Sequence, residues 1–217
     1  MRFLAGLLIL TAMAGTQTAF AASSSPNRAT IAQTLSTDST AAITQSGTGS
    51  DIAIDQIGEA HLATVTDTGS ITFLRIGQSG TGQEAMLTLA GGGTTGSVEQ
   101  SGSGHAATVW VDGTGNGFRI AQSGASTLGN ILFLTQKNTG NDASQTQTGT
   151  GNTMHLWQDG FDNAATLMQD GSGNYMDIRQ LGDLNSATFT QLGTGAPSVV
   201  VEQRGGARAT LTVSGSR

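Results

Sequence analysis

The side chains that could do chemistry in this sequence are three histidines, fifteen carboxylates and many amides. Cysteine is absent, so neither a disulfide nor a thiolate metal site is available. His61 and His105 occupy the same place in a repeat described below, and residue alternation turns His155 to the opposite face. Three separated imidazoles do not converge on one metal ion. We therefore expect neither a metal nor another cofactor.

The carboxylates and hydroxyls do not form a recognisable catalytic group. No Ser, His and Asp arrangement for nucleophilic catalysis can be placed in the sequence. The run from Gly113 to Gly117 resembles a fragment of a phosphate-binding loop, but no helix pattern follows it. A polysaccharide-cleaving β-helix would need clustered carboxylates in a groove, and none are apparent. The sequence predicts that the protein is not an enzyme.

The amides, in contrast, have a regular spacing. Glutamine recurs mostly in steps of 11 residues or a multiple of 11, usually as Gln-x-Gly. We call this place the ladder position, and it holds Gln33, Gln45, Gln56, Gln78, Gln100, Gln122, Gln136, Gln147, Gln158, Gln169, Gln180, Gln191 and Gln203. The remaining ladder positions hold Asp67, Leu89, Val111 and Val213, which gives 17 units. Repetition of this kind indicates a repeat architecture.

A second marker lies six residues before the ladder position, and we call it the Asn position. It holds Asn27, Asn116, Asn130, Asn141, Asn152, Asn163, Asn174 and Asn185, and other small or polar residues elsewhere. Between the two positions the residues alternate with period two, which predicts a β-strand with one buried face. The four residues between strands, as in Asp159 to Asp162, have turn chemistry.

Inward-facing residues suggest that one unit is half a turn. The bulky pair Leu74 and Ile76 is followed by Ala85 and Leu87, and such alternation in volume keeps a core of constant thickness. The sequence predicts an all-β fold: a β-solenoid of about eight 22-residue turns, with two strands per turn, capable of cross-β stacking. Stacked amides about 4.7–4.8 Å apart can donate and accept along the axis, whereas stacked charges would repel each other.

One turn departs from this pattern. Phe118 and Leu132 begin two successive bulky strands, and the turn between these strands has three residues more than the usual four. One interpretation is a boundary between two segments of repeats, a degenerate one over residues 22–125 and a more regular one over 126–217. A single coil with one bulged turn explains the pattern equally well.

Residues 1–21 have the features of a secretory signal peptide. Arg2 precedes an apolar stretch over residues 3–13, and Ala19 and Ala21 supply small residues for cleavage. The stretch is too short to span a bilayer. We expect a mature chain that starts at Ala22 and enters the periplasm; an N-terminal anchor is the alternative. Acidic residues then outnumber basic ones by seven, which does not suit a nucleic-acid binder.

The run from Gln158 to Gln169 reads Gln-x-Gly-x-x-Asn-x-Ala-x-x-x-Gln and resembles the curlin repeat. Curlins are the subunits of curli, the amyloid fibres of the bacterial surface and biofilm matrix. The resemblance is closest from about Asn116 to Gln203 and implies a secreted structural protein that assembles into, or nucleates, extracellular fibres for adhesion. It also implies other copies or other curlin subunits as partners, together with the curli secretion and assembly machinery.

The resemblance further suggests a role within the fibre. The major curlin subunit usually carries a Gly/Asn-rich export segment after the signal peptide, and residues 22–26 do not match it. The last repeat is basic, as in the minor subunit that nucleates fibres at the outer-membrane surface, and its basic residues are Arg204, Arg208 and Arg217. These two features favour the nucleator.

Two further sets of residues are candidates for controlling assembly. In the family, Asp residues act as gatekeepers that slow aggregation, and the candidates, which could equally be ordinary turn residues, are Asp159, Asp162, Asp170, Asp177 and Asp183. A strand that is apolar on both faces pairs readily, and we predict an assembly segment at Ile131, Leu132, Phe133 and Leu134.

A β-solenoid of another function is the alternative interpretation. An ice-binding or other adhesin-type solenoid would need a flat face of regularly spaced threonines, and Thr64 with Thr66 hints at one. The side chains of Arg75, Arg119 and His155 interrupt the outer surface, which weighs against this alternative.

Overall fold

The computed structural model describes residues 7–12, 16–21, 27–124 and 128–216. These residues form 19 strands and no helix, and nothing in the described ranges is a helix able to cross a membrane. The strands are β1 Leu7–Ala12, β2 Thr16–Ala21, β3 Arg28–Thr37, β4 Thr40–Gln45, β5 Asp51–Glu59, β6 Leu62–Asp67, β7 Phe73–Thr81, β8 Glu84–Gly92, β9 Thr95–Ser103, β10 Ala106–Thr114, β11 Gly117–Gly124, β12 Ile131–Thr139, β13 Asp142–Thr150, β14 Thr153–Asp159, β15 Ala164–Ser172, β16 Tyr175–Leu181, β17 Ser186–Thr194, β18 Val199–Arg204 and β19 Arg208–Ser214.

The strands form two parallel sheets that wind as one coil. The odd-numbered strands make a ten-stranded sheet, here the odd sheet, and the even-numbered strands make a nine-stranded sheet, here the even sheet. Each strand pairs with the strand two places along the chain, and the register offset is mostly 22 residues, as in Asp142 opposite Ala164. The predicted β-solenoid of about eight 22-residue turns is confirmed.

The core is one layer of inward side chains from both sheets, and its composition changes half-way along the coil. Before the long turn, the first inward residue is bulky in most odd strands, such as Ile52 and Leu74, and is alanine in the even strands. After it, the odd strands carry alanine, as at Ala165, and the even strands carry Leu132 or Met154. Most turns thus combine one bulky and one small residue at this position, which favours close packing.

Both sheets continue across the long turn without a break in pairing. β10 pairs with β12 and β11 with β13, with an offset of 25 residues instead of 22, as in Ala106 opposite Ile131. Residues 125–127 of the turn lie outside the described part of the chain. That residues 22–125 and 126–217 act as separate segments stays a prediction.

The glycine of Gln-x-Gly is required by the closeness of successive turns. Gly80 has a φ of +110° and Gly102 has one of +111°, where L side chains are rarely found. A Cβ added to Gly80 would overlap the carbonyl oxygen of Gly102 one turn on, and the same relation recurs at most glycines of this column. The motif is therefore a condition for stacking the backbone, as well as a turn signal.

The two ends of the coil differ in their chain path. β1 and β2 pair with β3 and β4, which places Ala12 opposite Gln33 and Ala21 opposite Gln45. Both strands lie within residues 1–21, whose removal the sequence predicts, so β3 and β4 would be the first strands of the processed chain. At the other end Ser216 forms an antiparallel bridge with Thr194, and the parallel coil ends at β19.

Candidate assembly site: the amide ladders

The ladder positions of the odd sheet form one continuous column of hydrogen bonds. Each Nε2 donates to the Oε1 of the glutamine one turn on, at 2.6–2.9 Å. In order, the column contains Gln33, Gln56, Gln78, Gln100, Gln122, Gln147, Gln169 and Gln191. Buried amides would be costly without these partners. The column ends at β19, where Val213 lies opposite Gln191.

The ladder of the even sheet is continuous only in its C-terminal half. There Nε2 donates to the next Oε1 at 2.9 Å through Gln136, Gln158, Gln180 and Gln203. Each of these Nε2 atoms also donates to carbonyl oxygens of the odd sheet or of an Asn position, as Gln158 does to Asp142 and Asn163. The glutamines therefore connect successive turns and close one side of the core.

The N-terminal half of the even ladder is interrupted. Between Gln45 and Gln136 the column contains Asp67, Leu89 and Val111, all buried. Asp67 Oδ1 accepts from the N–H of Gly69 and from the hydroxyl of Thr72, whereas Oδ2 has no partner among the described residues. In this part of the column, hydrogen bonds within one turn at Asp67 and apolar contacts at Leu89 and Val111 replace the amide ladder.

The Asn positions accept hydrogen bonds from the backbone of the next turn. In the column before the even strands, each side chain accepts from the N–H of the residue one turn on, at 2.9–3.3 Å. The acceptors are Ser39, His61, Gln83, His105, Asn130, Asn152 and Asn174. Four residue types thus make the same bond, and spacing rather than type would have identified Ser39 and Gln83 in the sequence.

The column before the odd strands makes the same bond at six of its positions. Side-chain oxygens accept from the next backbone N–H at 2.9–3.3 Å. The acceptors here are Asn27, Ser50, Asn116, Asn141, Asn163 and Asn185. The last donors of the two columns are Ala196, which lies seven instead of six residues before its ladder position, and Ala207. Neither has a side-chain acceptor for a further turn.

His61 and His105 replace asparagine as neutral imidazoles. Each Nδ1 accepts a backbone N–H, so the ring proton is assigned to Nε2, which donates to the carbonyl oxygens of Ile57 and of Ser101. Burial lowers the pKa of both rings below the ordinary histidine value. In the described part of the chain, no cluster of three or more His, Cys, Asp or Glu could hold a metal.

Acidification should weaken the coil through these two histidines. Burial opposes protonation of His61 and His105 in the folded state, whereas in the unfolded chain both imidazoles bind protons near pH 6.5. Because the unfolded state then binds more protons, the free energy of unfolding falls as the pH drops below about 6.5. The denaturant midpoint of the processed chain should therefore decrease more from pH 7 to pH 5 than that of H61N/H105N, whose amides keep an acceptor. H155N at the outer face is the control, and an equal response in wild type and double variant would contradict the assignment.

The predicted assembly segment lies in β12. Leu132 and Leu134 are buried, whereas Ile131 and Phe133 are 41% and 43% exposed on the outer face of the even sheet. The ring of Phe133 meets that of His155 edge-on at 4.9 Å. The structure thus gives the segment one core face and one exposed apolar face.

An aromatic surface continues from this segment along the even sheet. Lys137 Nζ lies 5.1 Å from the ring centre of Trp110 and 4.8 Å from that of Trp157. Such contacts between a cation and aromatic faces are stabilising. The Lys137 side chain therefore bridges two exposed tryptophans on alternate strands.

The candidate gatekeepers lie in or beside the turns and on outer faces. Asp159 accepts from the amide of Asn138, and Asp183 accepts from the N–H of Phe161. Asp177 forms an ion pair with Arg179 at 3.5 Å. The two remaining candidates, which are exposed, are Asp162 and Asp170. A gatekeeping role stays a prediction.

The basic last repeat is only partly described. Arg204 pairs with Glu202, and Arg208 is exposed at the start of β19. Arg217 lies outside the described residues. The role of the basic last repeat in nucleation stays a prediction.

Both ladders are uninterrupted from Gln136 to Gln203, and the match to a known family lies within this stretch. Residues 156–182 match the family model of the curlin associated repeat. This part of the chain is similar to the curlin repeat. No curated protein matches the chain. The curlin match and the solenoid together point to a structural protein of extracellular surface fibres rather than to an enzyme.

Proposed function

We propose that the chain is exported, loses residues 1–21, and assembles alone or with other curlin subunits into curli-type amyloid fibres on the bacterial surface. These fibres would serve adhesion and the biofilm matrix. Passage through the periplasm and the curli secretion and assembly machinery belong to the same proposal. The basic last repeat supports a nucleating subunit at the outer-membrane surface.

The observation that carries this proposal is the eight-glutamine column of the odd sheet. It runs parallel to the coil axis, with every Nε2 aligned on the next Oε1 at 2.6–2.9 Å. Amide columns of this kind stabilise cross-β fibres, in which each chain adds strands to the one before. A coil with parallel in-register turns already has the strand arrangement of such a fibre.

Fibre formation by the processed chain from Ala22 tests the proposal. We expect sigmoidal growth of amyloid-dye fluorescence, a lag that sonicated seeds shorten, and fibre diffraction reflections at about 4.7–4.8 and 10 Å. Shuffling the residues of each 11-residue unit preserves composition and removes both columns, which makes the shuffled chain the control. A processed chain that stays monomeric at micromolar concentration, with or without seeds, would contradict the proposal.

A further inference from the structure

The N-terminal end of the processed coil has two hydrogen-bond acceptors in place. Gln33 in β3 and Gln45 in β4 occupy the first ladder positions of the two sheets, and both are buried. Their Oε1 atoms have no partner among the residues that the structure describes. At the next turn of the odd sheet, the equivalent Oε1 of Gln56 accepts from Nε2 of Gln33 at 2.6 Å. Both ladders therefore begin with an acceptor suited to one more amide donor.

The strands of the predicted signal peptide, β1 and β2, cover this end without an amide at either ladder position. The register places Ala12 opposite Gln33 and Ala21 opposite Gln45, and alanine has no amide to donate. β1 and β2 thus pair with the backbone edge of β3 and β4. Removal of residues 1–21 uncovers a strand edge that can pair with another chain.

The C-terminal end lacks most of the groups that an interior turn presents. The ladder position of β19 is Val213, which leaves Gln203 in β18 as the one amide of the last two described strands at a ladder position. Ala196 and Ala207 end the two Asn columns. Their N–H groups donate to Asn174 and Asn185 at 2.9 and 3.1 Å, but they present no side-chain acceptor in return.

The chain path and charge at this end also oppose further pairing. The N–H of Gly215 donates to the carbonyl oxygen of Leu192 at 2.7 Å, and Ser216 bridges antiparallel to Thr194, so the backbone leaves the coil axis. Exposed Arg208 begins the edge strand β19. Charged residues and covering chain are common means of protecting a sheet edge from additional strands.

A second copy would therefore fit the N-terminal end poorly. Two copies could stack end to end with β19 of one copy paired to β3 or to β4 of the next. In the first placement Gln33 would face Val213 instead of an amide, and in the second Gln45 would. The incoming N–H groups at both Asn positions would face Ala196 and Ala207. Buried polar groups without partners are unfavourable, so each junction between copies would be weaker than an interior turn.

We propose that the C-terminal end of this coil is a stop, and that its N-terminal end receives a curlin-type chain with amides at both C-terminal ladder positions and both Asn positions. This proposal rests on the proposed function and makes the chain an end subunit of the fibre rather than its repeating one. A second copy of the chain is the poorer occupant of the same end.

Repair of the C-terminal end tests the proposal with a defined probe. The soluble probe is the processed variant A196N/A207N/V213Q, added to a fixed mass of sonicated wild-type seeds, and the measurement is the initial rate of dye fluorescence. We expect this variant to elongate wild-type seeds about tenfold faster than wild-type chain does, because three missing hydrogen bonds are restored at each junction. V213Q alone, which alters one side chain of the last strand, should give a smaller increase.

The matched control is V200Q/T210N/T212N, which adds three amides at outward positions of the same two strands and should elongate at the wild-type rate. Rates equal to or below wild type for both the triple variant and V213Q would overturn the proposal while fibre growth itself upheld the proposed function. Absence of any seeded growth, in wild type and variants alike, would overturn both.

Discussion

Replacement of Gly171 by alanine is expected to lower the free energy of unfolding of the processed coil by about 3 kcal/mol or more. Gly171 is the glycine of a Gln-x-Gly motif in β15 and has a φ of +130°. An added Cβ would overlap the carbonyl oxygen of Gly193 and approach its carbonyl carbon to 2.6 Å. Both are backbone atoms of the next turn, so the overlap is relieved only if two turns separate.

Gly173, two residues further on, provides the matched control. Its φ is +65°, and an added Cβ would meet no atom within 4 Å. Gly173→Ala therefore has the conformational cost of a left-handed residue, about 1 kcal/mol, without the steric overlap. Guanidinium unfolding of both variants, at concentrations below those of assembly, measures the difference. Equal losses of stability would show that backbone stacking does not explain the motif.

The comparison of these glycines shows what the sequence could and could not predict. The period of 11, the alternation and the ladder glutamines follow from residue type and spacing, so the coil and its number of turns were predictable. The reason for Gly171 was not, because it depends on the distance between backbones in adjacent turns. Spacing identified Gly171 as part of a motif, and the stacked geometry shows why Gly173 is not equivalent to it.

At the Asn positions, residue type alone does not identify every side chain that makes the bond. Asparagine at this place is visible in the sequence, but His61 and Gln83 make the same bond to the next turn and were not recognisable by type. The physical requirement is a side-chain acceptor within hydrogen-bond distance of the backbone N–H one turn on, and several residue types satisfy it. Sequence reasoning from identity therefore underestimates how far the N-terminal half follows the repeat.

Gln145 is an amide that the ladder does not use. It occupies an inward position of β13 between Ile120 and Leu167 of the neighbouring strands. Its side chain is fully buried, and neither its Nε2 nor its Oε1 has a hydrogen-bond partner within the described part of the chain. Alternation along β13 places this residue inward, so the sequence did contain the signal. An unpartnered buried amide weakens the core at the turn that follows the long loop.

Gln145→Leu should therefore raise the free energy of unfolding by about 2 kcal/mol, because the orphaned amide is lost and apolar contact is gained. Gln147→Leu, the same substitution two residues on, should lower it by about 2–3 kcal/mol. Gln147 is equally buried, but it accepts from Gln122 at 2.8 Å and donates to Gln169 at 2.9 Å. Denaturant unfolding of the two variants gives the sign of each effect. Changes of the same sign would mean that partnership in the ladder does not decide the value of a buried amide in this coil.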